Sequence, residues 1–508
     1  MSGSEEPKAD AAAWTAVAAG TLGAMMATLD ISIVNASLPV IQGEIGASGT
    51  EGTWIATAYL VAEIVMIPMA GWLVKMLGLR KLLMFAAGFF TLFSVLCGLS
   101  TSLPMMIAGR VGQGFTGGAL IPTAMTIIAT RLPRSQQPLG NAMFGATAIL
   151  GPVMGPVLGG WLTENLSWHY SFFINLPIGA ALFALLFVGV PAEKMKSGML
   201  QDADWFGIAG LVFGLGALTV VLEDGQRELW FASAEIRWLA VTSLIGFILL
   251  GWGQLHARSP IIQLKLLRDP QFGAVVAMAA VVGMGLYGTS YVIPQFLSGI
   301  ANYNSLQAGQ IVLLSGVPML FMMPFVPAMI KHLDIRIAVG SGLLLLACSC
   351  YLNTGLTALS TGSAFIPSQL LSGVGTVTAM MFLNQAAIRS VTAEQAGDAS
   401  GLYNVARNLG GSIALALITI IQERRSWLHA RRLEESLSAN AEHVQSYIAG
   451  QGGMDTALRS LEGTIQIQAL TMTYADLFWM LSIGLVCITP LVLFLRPLPT
   501  NAAPVQAH

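Results

Sequence analysis

Apolar runs long enough to cross a bilayer follow one another along most of this sequence, each closed by a short polar stretch. A membrane helix takes about 20 mostly apolar residues. The pattern predicts fourteen of them, at 14–36, 54–74, 82–100, 104–127, 140–162, 170–190, 205–222, 237–253, 272–297, 306–330, 335–356, 363–388, 400–421 and 472–495. The alternation over about ten residues that marks a membrane β-strand is missing, so the expected fold class is an all-α polytopic membrane protein. One polar stretch breaks the rhythm. Residues 423–471 hold five Arg and six acids, with Trp427, Leu433, Leu437, Val444 and Ile448 at near-helical spacing and a Gly-rich interruption at 450–453. They read as two amphipathic helices outside the membrane, either a solvated cap or a docking surface for an extracytoplasmic partner.

Composition agrees with this reading. Charged residues are 10% of the chain and hydrophobic residues 55%, against about 25% charged in soluble domains. With 24 Lys+Arg against 26 Asp+Glu there is no basic excess for nucleic acid. Four Cys in 508 residues exclude a disulfide scaffold. The distribution of positive charge says more than its total. With the N-terminus inside, fifteen of the 24 Lys and Arg fall on inner segments, and the short outer loops are nearly empty of them. Both termini are therefore expected in the cytoplasm. The first eight residues lack a basic n-region and a cleavage site, and read as a tail before an uncleaved first helix.

Two signals mislead. Gly112-Gln113-Gly114-Phe115-Thr116-Gly117 fits a dinucleotide fingerprint, but it lies inside an apolar helix with no strand before it, so a small-residue helix contact is the better account. Cys348 and Cys350 diverge by about 200° on a helix and have no second ligand pair, so no metal is expected. No catalytic grouping is present, and the chain is not expected to be an enzyme.

Several short motifs together resemble the major facilitator superfamily, and within it the fourteen-span drug:proton antiporters of the EmrB/QacA type. Leu29 to Pro39 reads LDISIVNASLP, similar to that family's LDxTIVNVALP; Gly71 to Lys81, with Gly78 and Arg80, is similar to the superfamily's GxLaDrxGrr loop. Arg110-Val111-Gly112-Gln113-Gly114 is like RxxQG, Gly151 to Gly160 is like GxxxGPxxGG, and Trp168 with Phe172 to Gly179 is similar to WRWxFFINxPIG. One position departs: the loop Asp of the family is Lys75 here, and the Arg after it is Met76. A weak internal repeat places Lys75–Arg80 parallel to Lys331–Arg336, 256 residues later. It suggests two six-helix bundles, 14–190 and 272–495, joined by a linker at 191–271 that carries two extra spans, with tails at 1–13 and 496–508. The resemblance implies proton-driven export of hydrophobic or amphipathic compounds across the bacterial inner membrane, with no cofactor. The long loop looks more like EmrB than QacA, and EmrB-type pumps work with a periplasmic adaptor and an outer-membrane channel. An exporter of one metabolite or organic acid, or a sensor with a transporter-like body, are the alternatives.

Ionisable groups inside apolar spans are costly and point to function. The clear ones are Asp30, Glu63, Arg110 and Arg407. At about 1.5 Å rise per residue the first three lie within roughly 5 Å of one another in depth. Burial raises a carboxyl pKa and water or a nearby Arg lowers it, so a carboxylate moved between such settings can load and release a proton. Asp30 is the first candidate for that role, with a helix-packing hydrogen bond as the alternative. Glu63 is the second; it could equally contact a cationic substrate or hold a span by an ion pair. Arg110 would tune one of the acids or bind a backbone carbonyl, and Arg407 would meet an anionic substrate group or serve structure alone. Gly151, Gly155 and Gly159 form one smooth stripe, and Pro152 and Pro156 permit bending, as in a helix that seals the bundle interface yet rocks; a passive kink is the alternative. Tyr287, Tyr291, Gln295, Asn384, Gln385 and Asn404 are candidates for the wall of a substrate cavity.

Overall fold

The computed structural model describes residues 9–133, 135–193, 195–200, 202–257, 260–392, 395–436 and 454–496. Helix follows helix throughout. We label them α1 (Ala11–Ile45), α2 (Trp54–Leu77), α3 (Leu79–Gly98), α4 (Leu103–Arg131), α5 (Gln137–Asn165), α6 (Tyr170–Gly189), α7 (Trp205–Asp224), α8 (Ala234–His256) and α9 (Pro270–Gly299). The rest are α10 (Gln307–Ile330, locally broken near Pro324), α11 (Ile335–Leu352), α12 (Ile366–Arg389), α13 (Ala396–Ser436) and α14 (Met454–Ile488). Among the described residues, twelve are long and apolar enough to cross a membrane; the two outside that set, α4 and α5, are 29 residues each and diluted by Gly, Arg110 and Gln113.

Local chemistry sets several of the ends. The Asp10 carboxylate caps α1 by accepting from the Ala13 amide at 2.7 Å, and Asp204 caps α7 through Gly207 at 2.7 Å. Pro39 does not stop α1, which runs nine residues past the expected end and closes only at Gly46, in the left-handed conformation at φ 72°. Between α2 and α3 the chain turns at Gly78, whose φ of 81° only glycine adopts freely.

α1 packs on α4, α5 and α6, α2 on α4, and α3 on α4 and α6. In the second half α9 packs on α12, α13 and α14, α11 on α12 and α14, and α13 on α14. α7 and α8 form a pair, drawn together where Gly214 backbone meets Gly246 backbone, and α7 also rests on α2 and α13. The stripe of Gly151, Gly155 and Gly159 lies against Thr28, Ser32 and Ile33 of α1, inside the first group of helices, so its close approach is made to α1 and not to the facing half. Residues 423–436 continue α13 and 454–471 begin α14, so these segments are extensions of the spans and not free-standing amphipathic helices. The α13 extension is tied to α14 where His429 Nε2 meets Asp476 Oδ2 at 2.8 Å. Leu437, Val444, Ile448 and the Gly-rich break lie outside the described residues.

Candidate transport site

Asp30 is fully buried on α1, and its carboxylate oxygens accept from three side chains. Arg110 Nη1 of α4 donates to Oδ2 at 2.5 Å; Gln113 Nε2 and Asn175 Nδ2 donate to Oδ1 at 3.0 and 2.7 Å. The neighbours are held in turn. Arg110 Nε donates to the Ile55 carbonyl at 3.0 Å, and its guanidinium lies 4.3 Å from the Tyr59 ring centroid. Asn175 also reaches Ser94 Oγ at 2.9 Å, and Ser94 donates to the Phe172 carbonyl at 2.8 Å. Four helices, α1, α3, α4 and α6, thus converge on one carboxylate. A buried ion pair of this kind stands only because hydrogen bonds replace the lost water.

Asp30 and Arg110 are therefore brought together, while Glu63 stands apart from them. Glu63 is buried on α2 and, among the described residues, forms no hydrogen bond. It lies within electrostatic reach of Arg407 as well as of Arg110 and Asp30, so it looks across the joint between the two halves. Arg407 leans on Asn408 Oδ1 at 3.3 Å, and the Tyr287 hydroxyl reaches the same oxygen at 3.5 Å. Asn404 is buried and donates to the Ser400 carbonyl at 2.9 Å. Tyr291 packs against the apolar cluster around Phe296 and Phe478, away from this group. Buried side-chain oxygens of Gln295, Asn384 and Asn404 have no partner among the described residues.

The two halves meet tightly near the loops that join α2 to α3 and α12 to α13. Lys75 Nζ of α2 pairs with Asp398 Oδ2 of α13 at 2.5 Å. A side chain at Gly71 would run into Asp398, and Gly401 lies against the Ile67 carbonyl. Asn141 of α5 and Gln385 of α12 hydrogen-bond through their side-chain amides, and Gly145 faces Met381 and Met323. All these contacts fall toward the same end of the helices. Glu63 is eight residues along α2 from Gly71, and Arg407 nine along α13 from Asp398, which puts both about 12–14 Å from the seal. Arg80 lies 4.8 Å from the Phe187 ring, off this joint.

Three features escape a linear reading. Gln113 and Asn175 sit in motifs that are conspicuous in the sequence, yet nothing local says that they serve Asp30. Lys75 and Asp398 are separated by 323 residues. Glu223 and Asp224 look like polar punctuation, but α7 carries both, and Asp224 is only 5% exposed.

A bundle of membrane helices with buried charges at the joint of two helix groups defines a transporter. The chain belongs to the Major Facilitator Superfamily, whose family model matches residues 20–415. It is 32% identical over 480 residues to the colistin resistance protein EmrB of Acinetobacter baumannii, covering 93% of this chain and 94% of that protein. It is 31% identical over 496 residues to the fatty acid resistance protein FarB of Neisseria gonorrhoeae (96% and 97% covered). Identity to the multidrug export protein EmrB of Escherichia coli is 29% over 483 residues, with 94% of each chain covered. The human organic anion transporter MFSD10 shares the fold, with TM-score 0.60 at 16% identity, over 93% of this chain and 99% of that one. The protein is a multi-pass membrane transporter and not an enzyme.

Proposed function

We propose that the protein exports hydrophobic or amphipathic compounds across the bacterial inner membrane in exchange for protons. The observation that carries this reading is the Asp30 site, a carboxylate buried in a transporter fold and held by three donors from two neighbouring helices. Adding a proton to Asp30 removes an acceptor from Arg110 or from the two amides, so proton binding and helix rearrangement are linked. The names of the relatives, which concern resistance to colistin, fatty acids and multiple drugs, support the substrate class. On this reading α4 and α5 also cross the bilayer, giving fourteen spans: bundles at 14–190 and 272–495 and an inserted pair between them. Both termini are cytoplasmic, the sealed end is the cytoplasmic one, and the conformer faces outward. Glu63, Arg407 and Tyr287 line the central joint where substrate binds. The extensions of α13 and α14 offer a docking surface for a periplasmic adaptor and, through it, an outer-membrane channel.

A second reading, the export of one class of organic acid, draws on Arg407, a cation held at the joint by neutral Asn408. Flux in proteoliposomes with ethidium, chloramphenicol and oleate separates the two, because an acid exporter moves oleate alone. Asp30→Asn should abolish gradient-driven export while the protein remains folded in the membrane. Undiminished export by that variant would remove Asp30 from the mechanism.

A further inference from the structure

The inserted pair would be a passive spacer if α7 presented only apolar residues to its neighbours. It does not. At its far end from the seal α7 buries Asp224, whose Oδ2 has no hydrogen-bond partner among the described residues while Oδ1 faces Arg227 at 3.2 Å. A buried carboxylate oxygen left without a hydrogen bond is expensive and marks function. Asp224 and Glu223 line a cavity of about 270 Å³ between α1, α2 and α7, whose other walls are Leu38, Thr53, Ala56, Thr57, Leu60 and Arg227. Glu223 Oε1 accepts from Ser412 Oγ of α13 at 3.0 Å, so the inserted helix is tied to the second half. Ser412 is five residues beyond Arg407, about 8 Å further from the seal. Tyr287 of α9 lies within electrostatic reach of Arg407, Glu63 and Glu223 alike. Acid groups thus descend in steps: Asp224 at the cavity, Glu223 beside α13, and Glu63 at the central joint.

We propose that α7 belongs to the proton path, with Glu223 as its outer station, loaded from the Asp224 cavity and discharging toward Glu63. The proposal rests on the reading of the chain as a proton-coupled exporter. In the step, an O–H bond on Glu223 breaks and one forms on a Glu63 carboxylate oxygen; Glu223 is left ionised and no electron moves. Ser412 of α13 and Asp224 act on Glu223 directly, and Tyr287 of α9 lies within electrostatic reach of it; Arg227, Glu228 and Glu235 of the α7–α8 pair surround Asp224, and Tyr287 is in turn within reach of Glu63 on α2 and Arg407 on α13. Protonation of Glu223 relieves its repulsion with Asp224, and Glu63 lies within electrostatic reach of the Arg407 guanidinium.

The test uses the full chain in phosphatidylethanolamine–phosphatidylglycerol vesicles with a trapped pH dye, and ethidium, chloramphenicol and oleate as probes. If the wild type moves none of them under a proton gradient, the exporter reading fails and this proposal falls with it. With a working wild type, Glu223→Gln should lower gradient-driven flux about tenfold or more. Probe exchange at equal pH should stay near wild type, Glu223→Asp should recover the driven mode, and Asp224→Asn should lie between. Unchanged driven flux in Glu223→Gln overturns the proposal and leaves the exporter reading intact. Equal loss of driven flux and exchange, with no recovery by Glu223→Asp, makes Glu223 a structural residue and overturns it as well.

Discussion

Removing the Lys75 ammonium should loosen the sealed end more than removing its partner. The pair spans the joint at 2.5 Å, with the Lys75 side chain 35% exposed and that of Asp398 only 2%. Two unit charges 4 Å apart attract by about 4 kcal/mol at an effective dielectric of 20. Water at Lys75 screens much of this and brings the pair itself nearer to about 1 kcal/mol. The two deletions are not equivalent. Asp398→Asn leaves Lys75 free to turn to solvent, so about 1 kcal/mol is lost, or roughly fivefold in the opening equilibrium. Lys75→Met leaves a buried carboxylate without its cation and should cost about 2 kcal/mol, or roughly 30-fold. Lys75→Asp should be worse again, although it restores the residue that the superfamily loop pattern has there, because two acids would then meet. The reciprocal Lys75→Asp/Asp398→Lys protein should recover the seal. Opening is read as the rate of maleimide labelling at Met381→Cys, which faces Gly145 across the joint, in a background lacking the four native cysteines. A wild-type labelling rate in Lys75→Met, or a double variant no slower than Lys75→Asp alone, would refute the reasoning.

Arg110→Gln should lower thermal stability in detergent sharply, by about 3–5 kcal/mol, because it strands a fully buried carboxylate; adding Asp30→Asn should return much of that loss. If the double variant is as unstable as the sum of the two singles, the charge on Asp30 is not the cause. Gly155→Val should cut the folded yield by parting α1 from α5, since a Cβ there would stand 2.9 Å from the Ser32 carbonyl carbon; overpacking of this kind costs about 1–3 kcal/mol. Gly160→Val, where no atom lies within 4 Å, is the control and should chromatograph as wild type.

The helices were legible because hydropathy over a bilayer's thickness needs no tertiary information. Their ends were less so. Leu38-Pro39 reads as a stop, yet a proline late in a helix removes one hydrogen bond and the rest carry α1 on to Ile45. Glu223-Asp224 likewise reads as the polar edge of a span, because the rule that ends a span at its first acids cannot distinguish an acid facing water from one facing another helix. Asp30, Glu63 and Arg110 were legible as buried charges for the opposite reason, although which acid Arg110 serves was not. All three stand deep inside apolar runs at similar depth, and a lone buried charge demands a partner. The Asp30 donors Gln113 and Asn175 were visible only as motif letters, since a motif gives residue type and spacing but not which atom faces which.

The joint between the halves was the least legible part, and the reason is geometric. A latch such as Lys75–Asp398 is built from one residue on each half, separated in the chain by 323 positions, and although Lys75 departs from the superfamily loop pattern, nothing near either residue names its partner. Lys75 looks like any cytoplasmic lysine that obeys the positive-inside pattern, and Asp398 like any acid in the first turn of a helix, where the helix dipole favours it. Their meaning comes from the encounter. The same holds for Glu223 with Ser412, a hydrogen bond that joins α13 to the inserted pair, and for Glu63, which lies within electrostatic reach of Arg407 on α13. α13 is thus the element on which the seal, the central joint and the outer acid converge, at about 13 Å and then about 8 Å along one helix. A rigid tilt of α13 would change all three together.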